Sequence, residues 1–463
     1  MIFKQFYLES LGHASYFIGS EATGEALVLD ARRDVDIYFR EARSQGMRIR
    51  YAADTHLHND YLTGICELPA RGDVQLLAGA RAELGYQARK MTDGERMKMG
   101  EIEFETLHTP GHTPEHISLL VYDNSRGAAP ALLLSGGSLL VGDVGRPDLL
   151  GGREETELHA GELCRTLQEK ILPLPDSVEV FPTHVAGSLC GGSIASRLST
   201  TIGYERRMNA LLKSLSLQDE FVEHCLELKL LPGIPPYWKR MRKINQAGPP
   251  LLGVLREPPA LMVHDFDQLR QKGAVILDCR SPEAFAWHIP GALNVYLGAS
   301  FATWAGTILP ADRPYALVLD EGQDLWEACW QLLRIGYDLP AGWLAGGMRA
   351  WRMAGRELES LPQWSVRQLR ERLDRKDDLV VLDVRQPQEW ATGHIESAVH
   401  ITGAELPGRV DEVPTDRQVA VICGSGYRSS VIASLLQSKG HPRLVNILGG
   451  MQGWTGAGFE EIK

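Results

Sequence analysis

Short β-branched runs alternate with longer stretches of helical period through the last two hundred residues. Gln418-Val419-Ala420-Val421-Ile422 has the length and composition of a buried strand, and Val431-Ile432-Ala433-Ser434-Leu435-Leu436 that of a packed helix. Strands alternating with helices predict an α/β architecture with parallel sheets. The pattern occurs twice, at a spacing of 103 to 106 residues. Val275-Ile276-Leu277-Asp278-Cys279-Arg280-Ser281-Pro282 answers Val380-Val381-Leu382-Asp383-Val384-Arg385-Gln386-Pro387. His288-Ile289 answers His394-Ile395, and Gly346-Gly347-Met348-Arg349-Ala350-Trp351 answers Gly449-Gly450-Met451-Gln452-Gly453-Trp454. Before the repeats, the Pro/Gly-rich stretch through Gly248-Pro249-Pro250 and Pro258-Pro259 reads as a linker. Three domains are expected, over residues 1–252, 258–357 and 362–463.

Composition narrows the function classes. The chain has 463 residues and a formal net charge of -11, without a Lys/Arg block, which argues against a nucleic-acid groove or an anionic membrane surface. Seven cysteines, an odd number with no C-x-x-C pair, argue against a secreted disulfide framework. Lys4, Glu9 and His13 break up the apolar N-terminus, and nowhere do about 18 apolar residues run together. A cytoplasmic protein acting on small molecules is expected, with a homo-oligomer left open.

The second repeat carries a nucleophile. In Cys423-Gly424-Ser425-Gly426-Tyr427-Arg428 a strand runs into a thiol, then a Gly-rich loop, then an arginine at the start of a helix. Backbone N–H groups and a helix N-terminus aimed at the sulfur would stabilise a thiolate and a bound persulfide anion. This C-x4-R loop resembles the rhodanese (sulfurtransferase) active site, and both repeats look like rhodanese domains. In the first repeat the position answering Cys423 is Asp320, in Asp320-Glu321-Gly322-Gln323-Asp324-Leu325. Thiol and arginine are both gone, so the first copy is expected to be inactive, a scaffold or docking domain. The Asp-x-Arg after the first strand of each copy is expected to be a structural ion pair, and Cys279 a core residue.

The N-terminal part holds candidate metal ligands. In Thr55-His56-Leu57-His58-Asn59-Asp60-Tyr61 alternate residues of an extended stretch project to one side, so His56 and His58 can grip one ion. Thr109-Pro110-Gly111-His112 and Phe181-Pro182-Thr183-His184 add two more imidazoles. With Gly142-Asp143-Val144-Gly145-Arg146-Pro147-Asp148, these motifs resemble the metallo-β-lactamase fold, an αββα sandwich, in the branch containing hydroxyacylglutathione hydrolase and persulfide dioxygenase. Persulfide dioxygenases fused to rhodanese domains are a known architecture.

Two positions depart from that family. Tyr61 stands where H-x-H-x-D-H has its last histidine, and Gly137 stands where the family has a metal-binding aspartate. In dioxygenases of the family, two histidines and that aspartate hold iron. Here the resemblance implies one divalent metal, Fe or Zn, on His56, His58 and His112, with Asp60 and His184 surviving from a second site and Asp143 a weaker candidate. An altered iron dioxygenase, a zinc thioesterase and a domain that binds a persulfide without oxidising it all remain open. Gly137→Asp is the change expected to restore the carboxylate. The basic run Tyr237 to Lys243 lies where family members hold their thiol cosubstrate, and Cys190 reads either as a thiol at the pocket rim or as a small buried residue. The resemblances imply thiosulfate, a low-molecular-weight thiol persulfide and sulfite as partners.

Overall fold

Alternation at period two builds the N-terminal layers. Along His13–Ser20, Tyr16 and Ile18 enter one apolar cluster and Phe17 another, because successive side chains leave a strand on opposite faces. Glu25–Leu29 divides in the same way, with Leu27 and Leu29 on one side and Ala26 and Val28 on the other. The computed structural model describes residues 1–216, 218–226 and 233–463. It falls into two compact units, Met1–Lys229 with Trp238–Val254 and Arg334–Gly336, and Leu230–Tyr237 with Leu255–Leu333 and Tyr337–Lys463.

In the first unit, one six-stranded sheet runs in chain order from Ile2–Leu8 to Arg89–Met91, and a second from Arg96–Met99 to Thr200–Thr201. Tyr16, Ile18 and Leu29 of the first sheet share a core with Phe104, Val121 and Leu134 of the second, so the sheets stack face to face. The outer faces are covered by helices. Tyr38 and Ala42 of Asp36–Ser44 pack on the first sheet, and Ala160 and Leu163 of Arg153–Thr166 on the second. This is the αββα sandwich that the resemblance implied. The histidine motifs sit in loops that follow Arg48–Ala53, Ile102–His108 and Glu179–Pro182.

The second unit contains two five-stranded parallel sheets of matching order. The first runs Ala260–Leu261, Trp343–Leu344, Tyr315–Val318, Val275–Asp278, Leu293–Asn294. The second runs Gln363–Ser365, Leu444–Leu448, Gln418–Ile422, Leu379–Asp383, Val399–His400. Conserved local devices explain the repeated motifs. Asp278 with Arg280, and Asp383 with Arg385, form buried ion pairs at 2.7 Å. Trp351 and Trp454 are buried and donate their indole N–H to the carbonyls of Glu357 and Glu460. Among the described residues no helix is long and apolar enough to cross a membrane.

Candidate functional site

The sulfur loop is held from both ends. Cys423 follows the central strand Gln418–Ile422 and is fully buried, and the helix Tyr427–Ser438 begins four residues later. Gly426 takes φ 102°, a left-handed conformation open to glycine, and its N–H points at Cys423 Sγ from 3.1 Å. Ser429 Oγ lies 3.4 Å from the same sulfur and also donates to Asn446 Oδ1 at 2.6 Å. On the far side, Met451 N and Gln452 N donate to the carbonyls of Cys423 and Gly424 at 2.7 and 2.9 Å. This close approach explains the Gly-Gly-Met motif. A Cβ on Gly450 would stand 2.3 Å from the Cys423 carbonyl oxygen.

Arg428 closes the loop, and its charge interacts with the Cys423 sulfur. Its guanidinium makes a bidentate pair with Glu389, at 2.6 Å for each bond. Burial works to raise the Glu389 carboxyl, but the Arg428 hydrogen bonds and charge outweigh it and hold the group below its ordinary value. Tyr427 is half-buried, and its hydroxyl is enclosed without a partner. Gly424 and Ser425 supply the turn between sulfur and helix. In the first repeat Asp320 and Glu321 are exposed, and Gln323 bonds Asp320 N and the Cys279 carbonyl. Cys279 is fully buried, and burial with the adjacent Asp278 pushes its thiol well up.

In the first unit the imidazoles gather. Ring nitrogens of His56, His112 and His184 lie within 4.8 Å of one another, as do ligand atoms of His58, Asp60 and His184, and those of Asp30, Asp54 and His58. His56 Nε2 faces His184 Nε2 at 3.3 Å, and His112 Nε2 is buried without a partner. Burial and the surrounding imidazoles drive His56 and His112 well below the ordinary histidine value, so both rings are neutral and have a lone pair to offer. A buried nitrogen without a partner, among neutral imidazoles and carboxylates, fits a divalent cation. His58 instead turns Nε2 to Asp30 at 3.1 Å.

Asp143, the weaker candidate, belongs to none of these groups among the described residues. One of its oxygens accepts from Val144 N at 2.8 Å and the other from Gly192 N and Ser193 N at 2.7 Å. Tyr61 is buried and donates to the Asp30 carbonyl at 3.2 Å. Gly137 has the His112 ring where its Cβ would be, with Cδ2 2.3 Å away. The expected gain from Gly137→Asp depends on room for a side chain, and here that side chain would have to displace the His112 ring. Cys190 is buried, and burial raises its thiol above the ordinary value while the nearby His184 works to lower it. Arg242, from the basic run, pairs with Glu115 at 3.0 Å and donates to the Leu57 carbonyl, which ties the helix Trp238–Ala247 to the His56 loop.

Three participants escaped sequence reasoning. Asp30 sits at φ 53°, a strained value for a non-glycine residue, and accepts from Thr55 N at 2.6 Å, from His58 and from the Thr183 hydroxyl. His116 is satisfied by Thr109 Oγ at 2.8 Å and Gly137 N at 2.8 Å, and so supports the site from behind. His13 is fully buried against Tyr61, ring centroids 4.1 Å apart, with neither nitrogen hydrogen-bonded and its value lowered to about 3 by burial. A lone histidine in an apolar strand gives no sequence signal.

This arrangement is a metallo-β-lactamase-fold metal centre fused to a rhodanese-type sulfur loop. The family model described as a rhodanese-like domain matches residues 262–354 and 365–457. A sulfurtransferase of Allochromatium vinosum is 36% identical over 91 residues, 20% of this chain and 85% of the relative. The mitochondrial persulfide dioxygenase ETHE1 of Bos taurus is 29% identical over 226 residues, 47% of this chain and 77% of the relative. Among solved structures, a metallo-β-lactamase from Staphylococcus aureus superposes with a TM-score of 0.66 at 33% identity, covering 74% of this chain and 99% of that one. The chain belongs to the rhodanese-like sulfurtransferases through its repeats, joined to a metallo-β-lactamase-fold domain that is similar to persulfide dioxygenases. It is a fusion protein of sulfur metabolism.

Proposed function

We propose that the chain moves sulfane sulfur through Cys423 and that its N-terminal domain handles the thiol persulfide that donates it. The observation that carries this reading is the Gly426 N–H aimed at Cys423 Sγ from 3.1 Å, with Ser429 and Arg428 on the same sulfur. The Gly426 amide and the Arg428 charge stabilise negative charge where it develops. The thiolate attacks the outer sulfur of a persulfide, forms Cys423–S–S⁻ and releases the thiolate R–S⁻. With thiosulfate the leaving group is sulfite. An acceptor thiolate or cyanide then takes the outer sulfur and returns the Cys423 thiolate. Asp320 in the first repeat has no such chemistry.

The metal of the first unit would be held by histidines drawn from His56, His58, His112 and His184, with Asp60 beside them. Such an ion supplies Lewis acidity and, where it is iron, redox chemistry with oxygen. Asp30 and Asp60 orient imidazoles, and the buried walls exclude water from whatever sulfur anion enters. The absence of a side chain at Gly137 favours a second reading, in which this domain retains a persulfide without oxidising it. All seven cysteines are free, which supports a reducing, cytoplasmic setting.

Sulfur transfer from thiosulfate and from glutathione persulfide to cyanide tests the first reading. Loss of transfer in Cys423→Ser is expected, and turnover without that thiol defeats it. Oxygen uptake with glutathione persulfide, measured beside iron and zinc per chain, separates oxidation from retention.

A further inference from the structure

The geometry points to a single metal site made by His56, His112 and His184 without a carboxylate ligand, in which Gly137 is bare in order to seat His112. This rests on the first unit binding a metal, and it specifies which residues do so.

The three rings share one pattern. His56 Nδ1 is bonded to Thr55 Oγ1 at 2.9 Å, His112 Nδ1 to the Arg146 carbonyl at 3.0 Å, and His184 Nδ1 approaches Asp60 Oδ2 and Ser188 Oγ at 3.5 and 3.4 Å. Each outer nitrogen thus has a polar partner, the arrangement by which metal-binding imidazoles are oriented. The inner nitrogens then face one another. His112 must donate from Nδ1 to a carbonyl, so its Nε2 is a bare lone pair, and that nitrogen is buried without a partner. His56 Nε2 and His184 Nε2 stand 3.3 Å apart. A cation among these nitrogens satisfies all three.

His58 is the rival. It leaves Nδ1 without a partner and groups with Asp60 and His184 as well as with Asp30 and Asp54, but its Nε2 is bonded to Asp30 and it does not group with His56 and His112. Asp30 is itself fixed by Thr55 and Thr183, so one nitrogen of the His58 ring is held on a carboxylate although the ring lies 4.2 Å from that of His56.

Gly137 explains the missing carboxylate. Its Cβ would lie 2.3 Å from His112 Cδ2 and 2.9 Å from Cγ, too close for ring and side chain to coexist. The backbone there cannot step back. Gly137 N is bonded to His116 Nε2, and on the other side a Cβ on Gly145 would already stand 1.8 Å from the Gly137 oxygen. Three imidazole ligands, each binding through a lone pair, add no negative charge to the ion and leave one position open, a donor set suited to Zn²⁺.

The test is Co²⁺ titration of the metal-stripped full-length chain, read by visible absorption and by metal per chain, so that turnover plays no part. One Co²⁺ per chain is expected, with intense bands of a four-coordinate site. His184→Ala and Gly137→Ala should each weaken binding at least about tenfold, whereas His58→Ala changes it less than about threefold. Gly137→Asp should also weaken it, although it adds a carboxylate. His184→Gln, closer in size and polarity, guards against simple misfolding and should show the same loss. Tighter binding by Gly137→Asp, or a loss in His58→Ala as large as in His184→Ala, overturns the assignment.

Discussion

Arg428 gives both terminal nitrogens of its guanidinium to the two oxygens of Glu389, at 2.6 Å each, and its charge also acts on the Cys423 sulfur. The cation that closes the sulfur loop is therefore already matched by an anion. A dianionic donor such as thiosulfate must compete with Glu389 for it, and a thiol persulfide with one charge competes less. Glu389→Gln should lower the KM for thiosulfate by about three- to tenfold, the size of a partly exposed charge interaction, with a smaller change for glutathione persulfide. Because Arg428 holds the Glu389 carboxyl below its ordinary value, the glutamate remains charged as pH falls, and the gap to the variant closes only when pH passes down through that lowered value. Equal thiosulfate KM values near neutral pH would defeat this account.

Arg428→Ala should be worse than loss of the glutamate. It removes the cation beside the sulfur and leaves Glu389 as an unmatched carboxylate. Thiosulfate transfer should fall by about tenfold or more through KM, and the double variant with Glu389→Gln should recover part of that loss. Initial rates over a range of thiosulfate concentrations check it.

Sulfur transfer should depend on one thiol of the two at strand ends. Cys423 has the Gly426 N–H and Ser429 Oγ on it, whereas Cys279 is enclosed and its thiol is pushed well up by burial. Cys423→Ser is expected to abolish thiosulfate-to-cyanide transfer and persulfide labelling, and Cys279→Ser to retain most of both. Mass spectrometry after thiosulfate treatment shows which cysteine gains a sulfur atom.

The repeat, the C-x4-R loop and the layered fold were legible because each leaves a local mark: a period, a fixed spacing, an alternation. The Gly-Gly-Met motif was visible as a repeat, but its reason was not, since the Cys423 carbonyl that excludes a Cβ at Gly450 is 27 positions away by sequence number (450 − 423) and meets it only in the fold. Glu389 was likewise unremarkable in sequence. It gains meaning because Pro387–Thr392 brings it to Arg428. Histidine spacing indicated a metal centre but not which ring nitrogens face inward, because Asp30, far from the H-x-H motif in the chain, decides where His58 turns.

The two Gly-Gly motifs should separate activity from stability. A Cβ at Gly450 meets the Cys423 oxygen at 2.3 Å, and at Gly347 the Leu319 oxygen at 3.0 Å. Both glycines have positive φ, so alanine costs about 1 kcal/mol of backbone strain at either place. Gly450→Ala should also displace the sulfur loop and reduce transfer by about a hundredfold, a loss typical of misplaced reacting groups. Gly347→Ala should lower thermal stability and leave kcat nearly unchanged. Transfer rates and unfolding temperatures of the pair decide it.

The first repeat contributes to the working one through Asn294. This residue is fully buried and pairs in register with Asp278, just as His400 pairs with Asp383 in the second repeat. Each side chain donates to the carbonyl of the following arginine, Asn294 Nδ2 to Arg280 at 3.0 Å and His400 Nε2 to Arg385 at 2.9 Å. Asn294 has an acceptor to spare. Its Oδ1 receives the Ser430 hydroxyl at 2.6 Å, and its N–H donates to Ser434 Oγ at 2.9 Å, which grips the helix Tyr427–Ser438 in its first two turns. Ser430 follows Ser429, the residue bonded to Cys423 sulfur, so Asn294 positions the donors around that sulfur. Asn294→Ala leaves a buried hydroxyl without its acceptor, at a cost of about 1–3 kcal/mol, and should lower kcat for transfer several-fold with little change in KM. Asn294→Ala with Ser430→Ala removes both partners and should recover stability relative to Asn294→Ala alone. Additive losses in that cycle, or an unchanged kcat in Asn294→Ala, would show that the first repeat is only a neighbour of the catalytic helix.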